Sequence, residues 1–176
     1  MQRLVLIALA GLALVGCSPP PQEPASAPAT NPAPSPSVSE PRWAFGVGKN
    51  SVEMAWVTDA ATAEAPLSLV CARGDGIMVV ARAFKPIGSE ERLSIGAGSD
   101  AFALVAVAAE DPHGPFVRAT GAAEPGLLAA LESGQPISAS YGAQRYGPIT
   151  TPPPALARAF ADTCRKLNGG EEGHQV

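Results

Sequence analysis

Between Trp43 and Gly142 the apolar residues come in short runs rich in Val, Ile, Leu and Ala, each closed by turn-forming residues. Runs of this length, flanked by Gly, Pro, Asp or Ser and partly alternating with polar positions, predict strands rather than helices. Eight are expected: "WAFGVG" from Trp43, "VEMAWVT" from Val52, "LSLVCAR" from Leu67, "GIMVVARAF" from Gly76, "ERLSIGA" from Glu91, "AFALVAVAA" from Ala101, "FVRAT" from Phe116 and "ISASYG" from Ile137. "RGDG", Arg73 to Gly76, marks a hairpin in which Asp75-Gly76 suits a tight turn needing φ > 0. "DPHGP", Asp111 to Pro115, marks a second turn. Strands joined this closely imply an antiparallel sheet.

A helical period appears twice. In "EPGLLAALESG" Leu127, Leu128 and Leu131 share one face, Pro125 suits the first helical position and Gly134 the stop. In "PALARAFADTCRKLNGG" Leu156, Ala159, Phe160, Thr163, Cys164 and Leu167 recur at spacings of three and four. Pro154 opens that segment, Arg165 and Lys166 complement the negative end of the helix dipole, and Gly169 can end it. The expected fold is α+β and mostly β: an antiparallel sheet or small β-sandwich, with a short leucine helix and a C-terminal helix packed on it. Cys164 lies on the apolar stripe of the second helix and Cys71 shares a strand face with Leu67 and Leu69, so both sulfurs are expected to point inward.

The first residues follow another logic. One positive charge, Arg3, precedes an apolar run from Leu4 to Val15 that ends in small residues. That run is shorter than the roughly 20 residues a helix needs to cross a bilayer, and no charged flank follows it, so residues 1–16 read as a cleaved secretory signal. Leu14-Val15-Gly16-Cys17 resembles the lipobox of bacterial lipoproteins. The resemblance implies diacylglycerol on the Cys17 sulfur, cleavage after Gly16 and a further acyl chain on the new amino terminus. Two or three chains, at about 0.8 kcal/mol per buried methylene, hold a protein durably where one does not. Ser18 stands where the inner-membrane retention signal has Asp, so the resemblance favours the outer membrane.

From Ser18 to Pro41 the chain is almost wholly Pro, Ala, Ser, Thr, Asn and Glu, with too little apolar surface to fold. Its prolines favour an extended stalk at about 3.1 Å per residue, a reach on the order of 70 Å. The expected organisation is therefore signal 1–16, lipidated stalk 17–41, globular domain 42–168 and a polar tail 169–176. Export places Cys71 and Cys164 in an oxidising compartment, and an acylated Cys17 is unavailable, so a Cys71–Cys164 disulfide is expected. In the chain-entropy description so long a loop contributes roughly 4 to 5 kcal/mol.

Charge and chemistry narrow the function by what is missing. Residues 42–168 hold 11 Lys/Arg against 12 Asp/Glu with no basic face, so nucleic acid is not an expected partner. The sequence contains no G-x-S-x-G, S-x-x-K, H-E-x-x-H or C-x-x-C. His113 lies in a turn and His174 in the tail, so no catalytic residue, metal ligand set or cofactor is expected. "GAGSDA", Gly96 to Ala101, matches a dinucleotide fingerprint formally, but a strand follows where a helix would have to begin, so it reads as a hairpin loop. The paired acids Glu90-Glu91 and Glu110-Asp111 flank turns and read as solvated. The remaining feature is "SASYGAQRYGPITTPPP", Ser140 to Pro154, where Tyr141, Arg145 and Tyr146 cluster in a segment punctuated by Gly and Pro. Tyr and Arg are the types that anchor interfaces, which makes this a candidate binding loop; the competing reading packs the tyrosines on the sheet edge and pairs Arg145 with a carboxylate.

The final third, "LLAALESGQPISASYG" followed by "ALARAFADTC", resembles the close of small exported bacterial β domains of the invasion-associated locus B-like and VasI-like kinds. That resemblance implies a late helical cysteine paired with an earlier strand cysteine, the arrangement that Cys71 and Cys164 match; "ITTPPP" departs from it. The functional expectation is a membrane-anchored, non-enzymatic envelope lipoprotein that binds or supports another envelope protein. A lysozyme-inhibitor-like module is a special case of it. The rival, a hydrolase with an unrecognised site, requires His113 to meet a serine or carboxylate in a pocket.

Overall fold

The computed structural model describes residues 40–59 and 65–169. The expected signal, Cys17, the stalk before Glu40 and the tail from residue 170 lie outside the described residues. The elements follow in the order β1 (Arg42–Val47), β2 (Ser51–Val57), β3 (Leu67–Ala72), β4 (Gly76–Ala81), β5 (Arg92–Ala97), β6 (Asp100–Asp111), β7 (Gly114–Gly121), α1 (Pro125–Glu132), β8 (Ile137–Tyr141), β9 (Gln144–Ile149) and α2 (Pro154–Asn168).

The nine strands of the described residues belong to one antiparallel sheet in the order β1-β2-β3-β4-β7-β6-β5-β8-β9. β1 to β4 form a meander. The chain then skips two places, so that β5, β6 and β7 run back to seat β7 against β4, and the β8–β9 hairpin extends the far side of β5. Of the two expected architectures the single sheet is the one formed, and the helices supply its second layer.

The strand period of two decides which face is covered. Val52 and Met54, Leu67, Leu69 and Cys71, Ile77 and Val79, Leu93 and Ile95, Val117 and Ala119 are all buried on one face. Leu127, Leu128 and Leu131 of α1 and Phe160, Ala161 and Cys164 of α2 are buried with them in the same cluster. α2 packs on β2, β3 and β4, α1 on β5 and β6, and the two helices touch each other. Each fully buried aliphatic or aromatic side chain contributes about 1.5 to 3 kcal/mol. The sheet curls around this layer. At its first edge the Trp43 indole N–H donates to the Thr150 carbonyl at 2.6 Å, in the segment that joins β9 to α2.

Cys71 and Cys164 are joined by a disulfide that bridges β3 and α2 across a sequence separation of 93. Asn168, in the last turn of α2, secures the same junction. Its amide nitrogen lies 3.0 Å from the Cys71 sulfur and donates to the Cys164 carbonyl at 3.1 Å, while its carbonyl accepts from the Gly76 N–H at 3.1 Å. Gly76 closes the β3–β4 turn at φ +73°, where a Cβ would come within 2.2 Å of the Gly121 carbonyl oxygen. The hairpin expected at "RGDG" thus forms, with Gly74 also at positive φ.

Two expectations change. The run from Gly76 to Phe84 stops as a strand at Ala81, because Arg82 turns away to ion-pair with Asp111 and lay its guanidinium 4.6 Å over the Phe116 ring. The segment after Tyr141, read as a loop, contains a ninth strand. β9 is an edge strand in which the register against β8 slips by one residue between Ile137 and Ala139. Gly147, at φ +102°, and Pro148 lie in that irregularity. Proline is tolerated in a sheet at such an edge or bulge, which is why a stretch that reads as broken still pairs.

Candidate functional site

The β8–β9 hairpin, which holds the three candidate binding residues, is tied to the loop between β4 and β5. Tyr141 ends β8 facing the core, and its ring stacks on Phe84 with centroids 6.1 Å apart. Its hydroxyl donates toward the carbonyls of Ile87 (2.9 Å) and Glu90 (3.0 Å) and accepts from the Ile87 N–H (3.1 Å). Gln144 continues the seam. Its amide donates to the Lys85 carbonyl at 2.8 Å and accepts from the Lys85 N–H at 2.9 Å, as a strand residue would. The loop is thereby held by side chains in place of a ladder.

Tyr141 is therefore fully enclosed and presents no surface. Arg145 is exposed and folds over its own turn, donating to the carbonyls of Gly142 (2.9 Å) and Gln144 (3.1 Å). Tyr146 is half-buried and packs against the core. The outer surface of this end is made by Arg145, Ile87 and Glu90 around Gly142, whose position lies against Ile87 Cδ1 and the Glu90 carboxylate.

His113 is exposed in the β6–β7 turn, where its backbone N–H donates to Asp111 Oδ1 at 2.9 Å. The Arg82 guanidinium, bonded to Asp111, holds that carboxyl below the usual carboxylate range. A shallow cleft of about 220 Å³ lies at the opposite end of β6, lined by Ala101, Phe102, Ala103, Leu104, Ala122, Glu124 and Leu127. It is smaller than the roughly 300 to 1,000 Å³ of ordinary ligand sites, and Glu124 is the one ionisable group in its lining. His113 is not part of it. Among the described residues no three His, Cys, Asp or Glu side chains are grouped to hold a metal ion, and no helix is long and apolar enough to cross a membrane.

The surface that sequence reasoning missed is the outer face of the sheet. Val105 and Val107 of β6 are 65% and 44% exposed, on either side of buried Ala106. Register places Val105 opposite Thr120, Thr120 opposite Met78 and Met78 opposite Val70, all on the face away from the helices. Val80 joins the same side beside Arg118. The result is an apolar band crossed by Arg118 and Thr120, with Glu53 at one end of the row and Arg92 at the other. The signal in the sequence was the run "AFALVAVAA", apolar at both parities, which reads equally well as a strand covered on both faces. No protein-family model, curated protein or solved structure matches this chain.

Proposed function

We propose that this chain is an exported lipoprotein, anchored through Cys17 to the periplasmic face of a bacterial membrane, the outer in preference to the inner, and that its β domain works as a non-enzymatic binding or accessory module for another envelope protein. The observation that carries the reading is the Cys71–Cys164 disulfide, buried at the junction of sheet and last helix. A structural disulfide of this kind persists in oxidising compartments and is rare in the cytosol, in agreement with the lipobox-like Leu14-Val15-Gly16-Cys17. The non-enzymatic part is supported by where the chemistry lies: His113 is exposed on a turn away from the cleft, and Asp111 beside it is engaged by Arg82.

Mass spectrometry of the mature protein tests the reading. It is expected to find Cys17 as the first residue, carrying acyl mass, with Cys71 and Cys164 oxidised. A Cys17→Ser chain is expected to leave the membrane fraction. An unmodified Cys17, or a full-length chain retained in the cytosol, would overturn it.

A further inference from the structure

The two edges of the sheet are built differently. β9 carries Pro148, a register shift and Arg145, features that discourage another strand from adding. β1, "RWAFGV", pairs with β2 in unbroken register from Arg42↔Val57 to Val47↔Val52 and contains no proline, and its one charged residue, Arg42, stands at its first position. Its free side can be read from the turn. Gly48 N–H donates to the Ser51 carbonyl at 2.8 Å, so by the alternation of an antiparallel ladder the next hydrogen-bonded pairs are Gly46–Glu53 and Ala44–Ala55. The N–H and C=O groups of Trp43, Phe45 and Val47 therefore face away from β2, toward the open edge. The side chains of these three lie on the helix side with Trp56, Met54 and Val52, yet Phe45 is 39% and Val47 68% exposed.

We propose that β1 is a self-association edge, at which two copies of this chain pair β1 against β1 antiparallel about a two-fold axis through Phe45. The strand is its own complement in that register. Phe45 opposes Phe45, Trp43 opposes Val47 on the helix side, and Ala44 opposes Gly46 on the other. All three outward-facing residues then form hydrogen-bonded pairs. Centring on Ala44 would set Val47 against Pro41, which has no N–H to give. The chain's own upstream segment is a poor occupant for the same reason, since nine of the residues from Ser18 to Pro41 are proline. A six-residue edge buries less than the roughly 1,200 Å² of a standard stable interface, so the pair forms reversibly and with rising concentration. The proposal stands independently of the lipid anchor.

Disulfide trapping on the purified full chain tests it. Residues opposed in a hydrogen-bonded antiparallel pair have Cα atoms about 5.5 Å apart, inside the range that a disulfide spans. Phe45→Cys is expected to give a covalent dimer under mild oxidation, at least tenfold more than Ala44→Cys, whose own copy is displaced along the strand, or Val105→Cys, which is more exposed but on the outer sheet face. Sedimentation of the unaltered chain should show a concentration-dependent dimer, shifted to monomer by Phe45→Lys with the Cys71–Cys164 disulfide still formed. A chain that stays monomeric up to millimolar concentration would assign the edge to another protein's strand and overturn the proposal, as would trapping through Val105→Cys as efficient as through Phe45→Cys.

Discussion

Through one oxygen Tyr141 shares its single O–H proton between the Ile87 and Glu90 carbonyls and accepts from the Ile87 N–H, some fifty residues earlier in the chain. Removing the hydroxyl takes that partner from part-buried N–H and C=O groups while the ring keeps its contacts, so Tyr141→Phe is expected to lower stability by about 1 kcal/mol, read as a shift in the urea midpoint at unchanged slope. Asp111 gives the residue scale a pH dependence. Its carboxyl titrates below its ordinary range because the Arg82 guanidinium bonds the ionised form. A folded-state value below the unfolded one means that the pair's contribution is complete above the ordinary carboxylate range and is lost as pH falls through the lowered value. Urea midpoints of the unaltered chain and of Asp111→Asn should therefore differ at pH 7 and draw together as the pH falls below the ordinary carboxylate range. A gap that widens on acidification would show the sign to be wrong. Both side chains are partly solvated, so the difference is expected to be small.

At the scale of elements, α2 is held by packing through Phe160 and Ala161, by the disulfide through Cys164, and by Asn168 at its end. Replacing both Cys71 and Cys164 by Ser should cost about 2 to 5 kcal/mol, measured by denaturation of the folded double variant, and should leave the β-rich far-ultraviolet spectrum in place. Both helices and all eight expected strands were legible because each shows its own period and is bounded by Gly, Pro or Asp; the stripe Phe160–Cys164 and the pairing of Cys71 with Cys164 followed from those faces. β9 was not legible. Gly147 and Pro148 break its pattern locally, and only the edge position and the bulge against β8 let the strand survive. In the candidate loop the tyrosines pack inward, as the competing reading had it, but Arg145 bonds the Gly142 and Gln144 carbonyls and not a carboxylate. Composition alone placed Tyr141 with Arg145 and Tyr146, whereas strand parity turns Tyr141 into the core and leaves Arg145 outside. Parity also separates the two faces of β6. Leu104→Ala, on the helix side, is expected to lose about 2 to 5 kcal/mol, while Val105→Glu with Val107→Glu on the open face should stay within about 0.5 kcal/mol. Equal losses from the two variants in thermal unfolding would mean that the outer face is covered.

For the whole molecule, one core shared by a nine-stranded sheet and two helices implies that the parts unfold together. The weakest attachment by position is β1, which among the described residues pairs on one side only, with β2. What secures it beyond that ladder is the side chain of Trp43, buried with its indole N–H on the Thr150 carbonyl and its ring 5.5 Å from that of Trp56. That single bond couples the first strand of the sheet to the segment leading into the last helix, so the edge gains a share of the core's cooperativity that its own pairing would not supply. In the unaltered chain, tryptophan emission and far-ultraviolet circular dichroism should therefore follow the same urea transition. Trp43→Phe keeps an aromatic ring but removes the donor, leaving Trp56 on β2 as the reporter of the edge. Its emission is then expected to shift at lower urea than the circular dichroism signal, as β1 frays ahead of the rest. Coincident curves in that variant would show that strand pairing alone holds the edge, and would remove the indole bond as the link between the two ends of the fold.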